Sequence, residues 1–327
     1  MNMSTRRQLL SWLILSVLLS GCHSKSLTNN STVTNANEVN KLPPPEQVTL
    51  EKITESESPN ASELIADYNS RNSGSPGWRR VSMELFTDGS LTRAFTVVNI
   101  WQFEKDQGRM LFLLEEPKGL TGTDYLLQEQ GGKPPEMEVH LFLPAGERRV
   151  LAVDPGNFDE GLLGSDFTYN DVRMRLPVQD FRYRVVGKSM LRKEPVWVVE
   201  AEPSSELTRR SRRWKHAHFY LARNFQFLLG ADYFSGSADE KSSAPPFKQM
   251  RVESFKQISG AWTATKMFMF GSEGRSTALT LRDAQFGVAN IDGSLFTVEK
   301  LPSLADKIRQ GWVPEDIQRS GAGKTGK

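Results

Sequence analysis

The chain has 327 residues and a formal net charge of +2, from 41 Lys and Arg against 39 Asp and Glu. So balanced a composition projects no global field toward a polyanion and lends nucleic-acid binding no support. Its one cysteine, Cys22, excludes an intramolecular disulfide, and its place near the N-terminus removes thiol catalysis and Cys-ligated zinc from the body of the chain.

The first residues read as an export signal: Arg6 and Arg7, an apolar run from Leu9 to Leu19, then Ser20 and Gly21 before Cys22. That run is well short of the roughly 20 residues a spanning helix needs. Leu19-Ser20-Gly21-Cys22 resembles the lipobox of bacterial lipoproteins, which implies a signal peptide over 1–21 and lipid attachment at Cys22. His23, not Asp, follows, and by analogy with enteric lipoproteins this directs the chain to the outer membrane, facing the periplasm. Residues 22–60 are rich in Ser, Thr, Asn and Pro and poor in apolar groups, the composition of a disordered tether. A single β domain is expected over 61–315, with a flexible tail over 316–327.

A helix is expected over 62–71, where Leu64, Ile65 and Tyr68 share a face. After Gly74-Ser75-Pro76-Gly77 the apolar period drops to two. Val81, Met83 and Leu85 alternate with polar residues, and Asp88-Gly89 turns the chain into a second run over 91–101. Further strands are expected over 110–114, 137–143, 148–153, 181–186, 196–201, 214–222, 225–233, 249–258, 261–270 and 276–286. Beyond the first helix, only 166–174 and 303–310 are expected as helices, covering one face of the sheet. Strands in series joined by short turns imply a mainly β fold with a curved antiparallel sheet and a few covering helices.

Two central segments carry a family likeness. His140-Leu141-Phe142-Leu143-Pro144-Ala145-Gly146-Glu147-Arg148-Arg149-Val150, then Gly161-Leu162-Leu163-Gly164-Ser165-Asp166-Phe167-Thr168-Tyr169-Asn170-Asp171-Val172, resemble the bacterial outer membrane lipoprotein-sorting family. The preceding Gly122-Thr123-Asp124 order is also similar. The resemblance implies a LolA/LolB-like incomplete barrel over a hydrophobic cavity, no catalysis and no cofactor. It also implies an acylated cargo, with an envelope transporter or carrier protein as a further partner. An adaptor lipoprotein with a filled core is the alternative.

Candidate cavity residues are Trp101, Phe112, Phe142, Met267, Phe268, Met269 and Phe270, bulky apolar groups with adaptable methionines among them. Gly164, Ser165, Asp166, Phe167, Tyr169 and Asp171 read as structural, a turn, a cap and core plugs, against the competing reading of Asp166 and Asp171 as paired catalytic carboxylates. Arg209, Arg210, Arg212, Arg213, Trp214 and Lys215 suit either an anionic membrane surface or a solvated turn. His216 and His218 lie two apart on one strand face, but no neighbouring third ligand completes a metal site.

Overall fold

A computed structural model describes residues 42–312 and 314, apart from 105–106, 131–136, 179–180, 211, 237–243 and 290. The signal, Cys22 and the C-terminal tail lie outside the described residues.

Helix α1 (Ala61–Ser70) is capped by the Asn60 side chain, which accepts from the Ser62 and Glu63 amides, and buries Ile65 and Tyr68. The first half of the chain then runs β1 (Gly77–Thr87), β2 (Ser90–Glu104), β3 (Gln107–Glu116), β4 (Asp124–Gln130), β5 (Met137–Leu143) and β6 (Arg149–Ala152). A long crossover, residues 153–180, leads to β7 (Phe181–Leu191) and β8 (Glu194–Pro203). The short α2 (Glu206–Arg210) follows, then β9 (His216–Ala222), β10 (Leu228–Phe234), β11 (Lys248–Ile258), β12 (Ala261–Phe270), β13 (Arg275–Phe286) and α3 (Leu301–Arg309).

All thirteen strands join one antiparallel sheet in the order β6-β5-β4-β3-β2-β1-β13-β12-β11-β10-β9-β8-β7. The first half steps outward to β6, the crossover carries the chain to the far edge, and the second half steps back until β13 pairs with β1. The fold is mainly β and curved, and the sheet is open, with β6 and β7 at its two edges rather than joined as a barrel.

Alternation along the strands gives this sheet two apolar faces. On the outer face Trp78, Ile100, Leu111, Leu113 and Phe142 pack under Phe296 and the α3 residues Leu301, Leu304 and Ile308. On the inner face Met83, Val97, Trp101 and Phe112 pack against Phe158, Leu162 and Tyr169 of the crossover. Farther along, Phe219, Tyr233 and Met269 meet Phe167 and Trp214. Each such side chain contributes roughly 1.5–3 kcal/mol on burial. The crossover is therefore an inner layer, and α1 extends it by packing on Val185, Val199 and Leu221.

Two expectations are corrected. The tether does not run free to residue 60: Glu51 and Lys188 exchange backbone hydrogen bonds of 2.9 Å each way, and the Ser189 hydroxyl donates to the Thr49 carbonyl at 2.6 Å. Gly187 permits this approach, since a Cβ there would stand 2.5 Å from the Glu51 oxygen. The segment covers part of edge strand β7, which would otherwise expose unpaired backbone. Second, no helix spans 166–174. The Asp171 carboxylate accepts from both the amide and the hydroxyl of Thr168, a side-chain turn that competes with the helix.

Candidate functional site

Between the inner sheet face and the crossover lies a cavity of about 190 Å³. Strand parity supplies its floor: Val81 and Met83 from β1, Val97 and Trp101 from β2, Phe112 from β3, Met250 from β11, Met267 from β12, and Leu279 and Leu281 from β13. Leu162, Phe167, Val172 and Met174 form the crossover wall, and Tyr68 and Arg71 the rim near α1. Three methionines on the sheet and one on the wall make the lining deformable, because unbranched thioether chains repack at low cost.

The wall is fastened at both ends. Near α1, the Asn69 amide donates to the Leu176 carbonyl and its oxygen accepts from the Leu176 amide, each at 2.8 Å. Arg71 donates to the Tyr68 carbonyl at 2.7 Å and the Met174 carbonyl at 2.6 Å. Toward the far side, Asp166 meets the Thr277 hydroxyl at 2.9 Å and Arg275 at 3.0 Å. Asp171 accepts from the Tyr233 hydroxyl at 2.9 Å and is paired with Lys248. Burial would raise the Asp171 carboxyl, but Lys248 and Thr168 outweigh it and hold it below the ordinary range. Each carboxylate thus ties the crossover to the sheet through its own partners.

Two charged groups facing the cavity, Arg71 and Arg79, have no carboxylate partner among the described residues. Arg79 lines it from β1 and donates from Nε to Asn99 Oδ1 at 3.1 Å. Asn99, fully buried, donates in turn to the Leu111 carbonyl at 3.0 Å. The Arg79 guanidinium lies 5.4 Å from the Trp101 ring centre. Burial, with the neighbouring charge of Arg71, pulls its pKa down to about 10. Nearby Arg173 is paired with Glu129 at 3.3 Å.

Of the seven residues expected at the cavity, Trp101, Phe112 and Met267 line it. Met269 shares the inner face but is buried with Phe219 and Tyr233. The other three are corrected. Phe142 lies on the outer face under α3, and Phe268 and Phe270 pack with Phe86 and Leu42 on the face opposite Met267, because neighbours on a strand point to opposite sides. Sequence reading missed Met83, Met250 and Arg79. The signal that could have found them is parity: Arg79, Val81 and Met83 are one alternating set.

The basic run divides. Arg209, Arg213 and Lys215 are exposed, whereas Trp214 is buried in a ring cluster with Phe181 and Tyr233. Arg212 stands over the Phe181 and Trp214 rings, 3.8 Å from Asp159. Neither Trp214 nor Arg212 is free to meet a membrane, a correction, and the Arg210 side chain lies outside the described residues. His216 and His218 do gain a neighbour from pairing with β8: Glu200 approaches His218 to 3.6 Å, and the three side chains could share an ion. Glu200 is already held by Arg184 at 2.6 Å. Burial would raise its carboxyl, but His218 and Arg184 hold it down at about 2.

An open antiparallel sheet with an inner layer over an apolar cavity is the LolA-like fold. The solved structures similar to the chain share it: a DUF1329 family protein from Desulfovibrio piger (TM-score 0.64, 18% identity, covering 74% of this chain and 97% of that one); a putative outer membrane lipoprotein-sorting protein domain from Vibrio parahaemolyticus (0.64, 19%, 74% and 98%); and a LolA superfamily protein from Nitrosomonas europaea (0.53, 13%, 73% and 98%). A family model described as "-like: Uncharacterized protein" matches residues 106–303, and the chain belongs to that family. No curated protein matches it.

Proposed function

We propose that the chain binds a hydrophobic, acylated cargo in the inner cavity and passes it on without chemistry. The observation that carries this reading is the methionine-lined cavity beneath a wall held by discrete polar ties. At about 190 Å³ it exceeds the roughly 150 Å³ apolar cavity that accepts benzene, so it takes a short length of chain as it stands. A longer chain requires the wall to shift, and each methylene buried contributes about 0.8 kcal/mol. The likeness to a lipoprotein-sorting domain supports the cargo class. The carboxylates that might suggest an acid–base pair are spent on Lys248, Arg275 and their hydrogen-bond donors, which favours binding over turnover.

Dye displacement tests this. The full chain should bind the apolar dye bis-ANS and release it to decanol. Met267→Trp, which fills the cavity from β12, should weaken decanol binding by roughly tenfold or more, the equivalent of about two methylenes, with an unchanged melting temperature. Dye binding that decanol never competes for, equal in both proteins, would favour an adaptor with a filled core. The setting belongs to the same proposal: lipid on Cys22 holds the domain at the outer membrane, facing the periplasm. Cys22→Ser should move the chain from the membrane to the soluble fraction, and unchanged fractionation would remove the anchor.

A further inference from the structure

Arg79 is poorly explained by a purely apolar cargo. A partly buried guanidinium on the wall of a mostly apolar cavity, whose polar lining includes Asn99, Thr263 and the Lys248-paired Asp171, loses part of the hydration that a counter-charge or full hydrogen bonding would restore. Among the described residues no carboxylate pairs with it, and its one hydrogen bond is from Nε to Asn99. The neighbouring Arg71 adds positive charge rather than offsetting it, and its own donors are spent on the Tyr68 and Met174 carbonyls. Arg79 is nevertheless fixed in place, by Asn99 on one side, which the Leu111 carbonyl anchors, and by the Trp101 ring on another. A held guanidinium lining a mostly apolar chamber is an arrangement suited to a planar anion carried on a hydrocarbon chain.

We propose that the cavity selects an anionic amphiphile, a fatty-acid-type carboxylate whose head pairs with the Arg79 fork while its tail lies among Met83, Met250 and Met267. This deepens the proposed function and rests on it: the cavity must first take an aliphatic chain. A carboxylate suits the confined volume and matches the guanidinium two oxygens to two N–H groups. It also supplies the charge that Arg79 and Arg71 together lack.

The test compares decanoate with decanol, equal in tail and different in head, by calorimetric titration of the full chain and of its Arg79→Gln and Arg79→Lys variants. The wild type should bind decanoate more tightly than decanol by about tenfold or more, the scale of one hydrogen bond to a charged group. Arg79→Gln should erase that preference by weakening decanoate alone, and Arg79→Lys, which keeps the charge but loses the fork, should retain part of it. Melting curves show whether each variant is folded, and the Lys variant carries the comparison if the Gln variant is not. Equal affinity for both probes in the wild type, or a preference that survives Arg79→Gln, overturns the head-group assignment and leaves the cavity intact. Binding of neither probe removes the cavity reading itself.

Discussion

Asp124 shows how a single buried carboxyl reports the packing around it. It opens β4, is fully buried, and burial pushes its pKa up to about 8 from 3.8, against the weaker pulls of the Leu114 backbone and Arg309. The folded state therefore keeps a proton that the unfolded chain gives up, and stability falls as pH rises from about 4 toward 8. Asp124→Asn fixes the neutral form. It should flatten that slope and raise stability at pH 8 by roughly 1–3 kcal/mol, with little change near pH 4, as urea melts across the range will show. A parallel pH dependence in the two proteins would place the titration elsewhere. Of the site's residues, Trp101, Phe112 and Met267 were legible as bulky apolar groups in strands. Arg79 was not, since a charged residue in an alternating run reads as solvent-facing until the run's parity is assigned to the inner face.

The crossover is the element on which the proposed binding depends. Its fastening to α1 through Asn69 and Leu176 is a pair of hydrogen bonds, and Asn69→Ala removes both, at a cost of about 1–3 kcal/mol. If the wall shifts to admit a chain, the same change should speed bis-ANS association several-fold in stopped flow with the cavity residues untouched. An unchanged rate would mean that ligand reaches the cavity by another route. The strands were visible because Val81, Met83 and Leu85, or Met137 and Val139, alternate cleanly. Strand β4 was not, since Gln128 and Gln130 break its apolar period. The expected helix over 166–174 fails because Thr168 and Asp171 satisfy one another locally, a preference that hydrophobic spacing does not register. The ordering of residues 42–60 was hidden for a related reason. Their hold on β7 is through backbone groups and the missing Cβ of Gly187, which leave no mark in composition.

At the scale of the whole molecule, two meanders meet at β1 and β13, and the family-like segment between them became the layer that closes the cavity. The curved sheet and its open form follow from strand order; the cavity follows from which face the crossover covers, a long-range fact no local pattern encodes. The central claim is that this chamber holds an aliphatic chain. Native mass spectrometry of the full chain carrying Cys22→Ser, purified from the cells that make it, tests this without interference from covalent lipid. The account predicts a population with a non-covalent mass of fatty-acid size, released on unfolding and absent when Met267→Trp is added. A ligand-free chain that also stays bare after incubation with decanoate and decanol would contradict it.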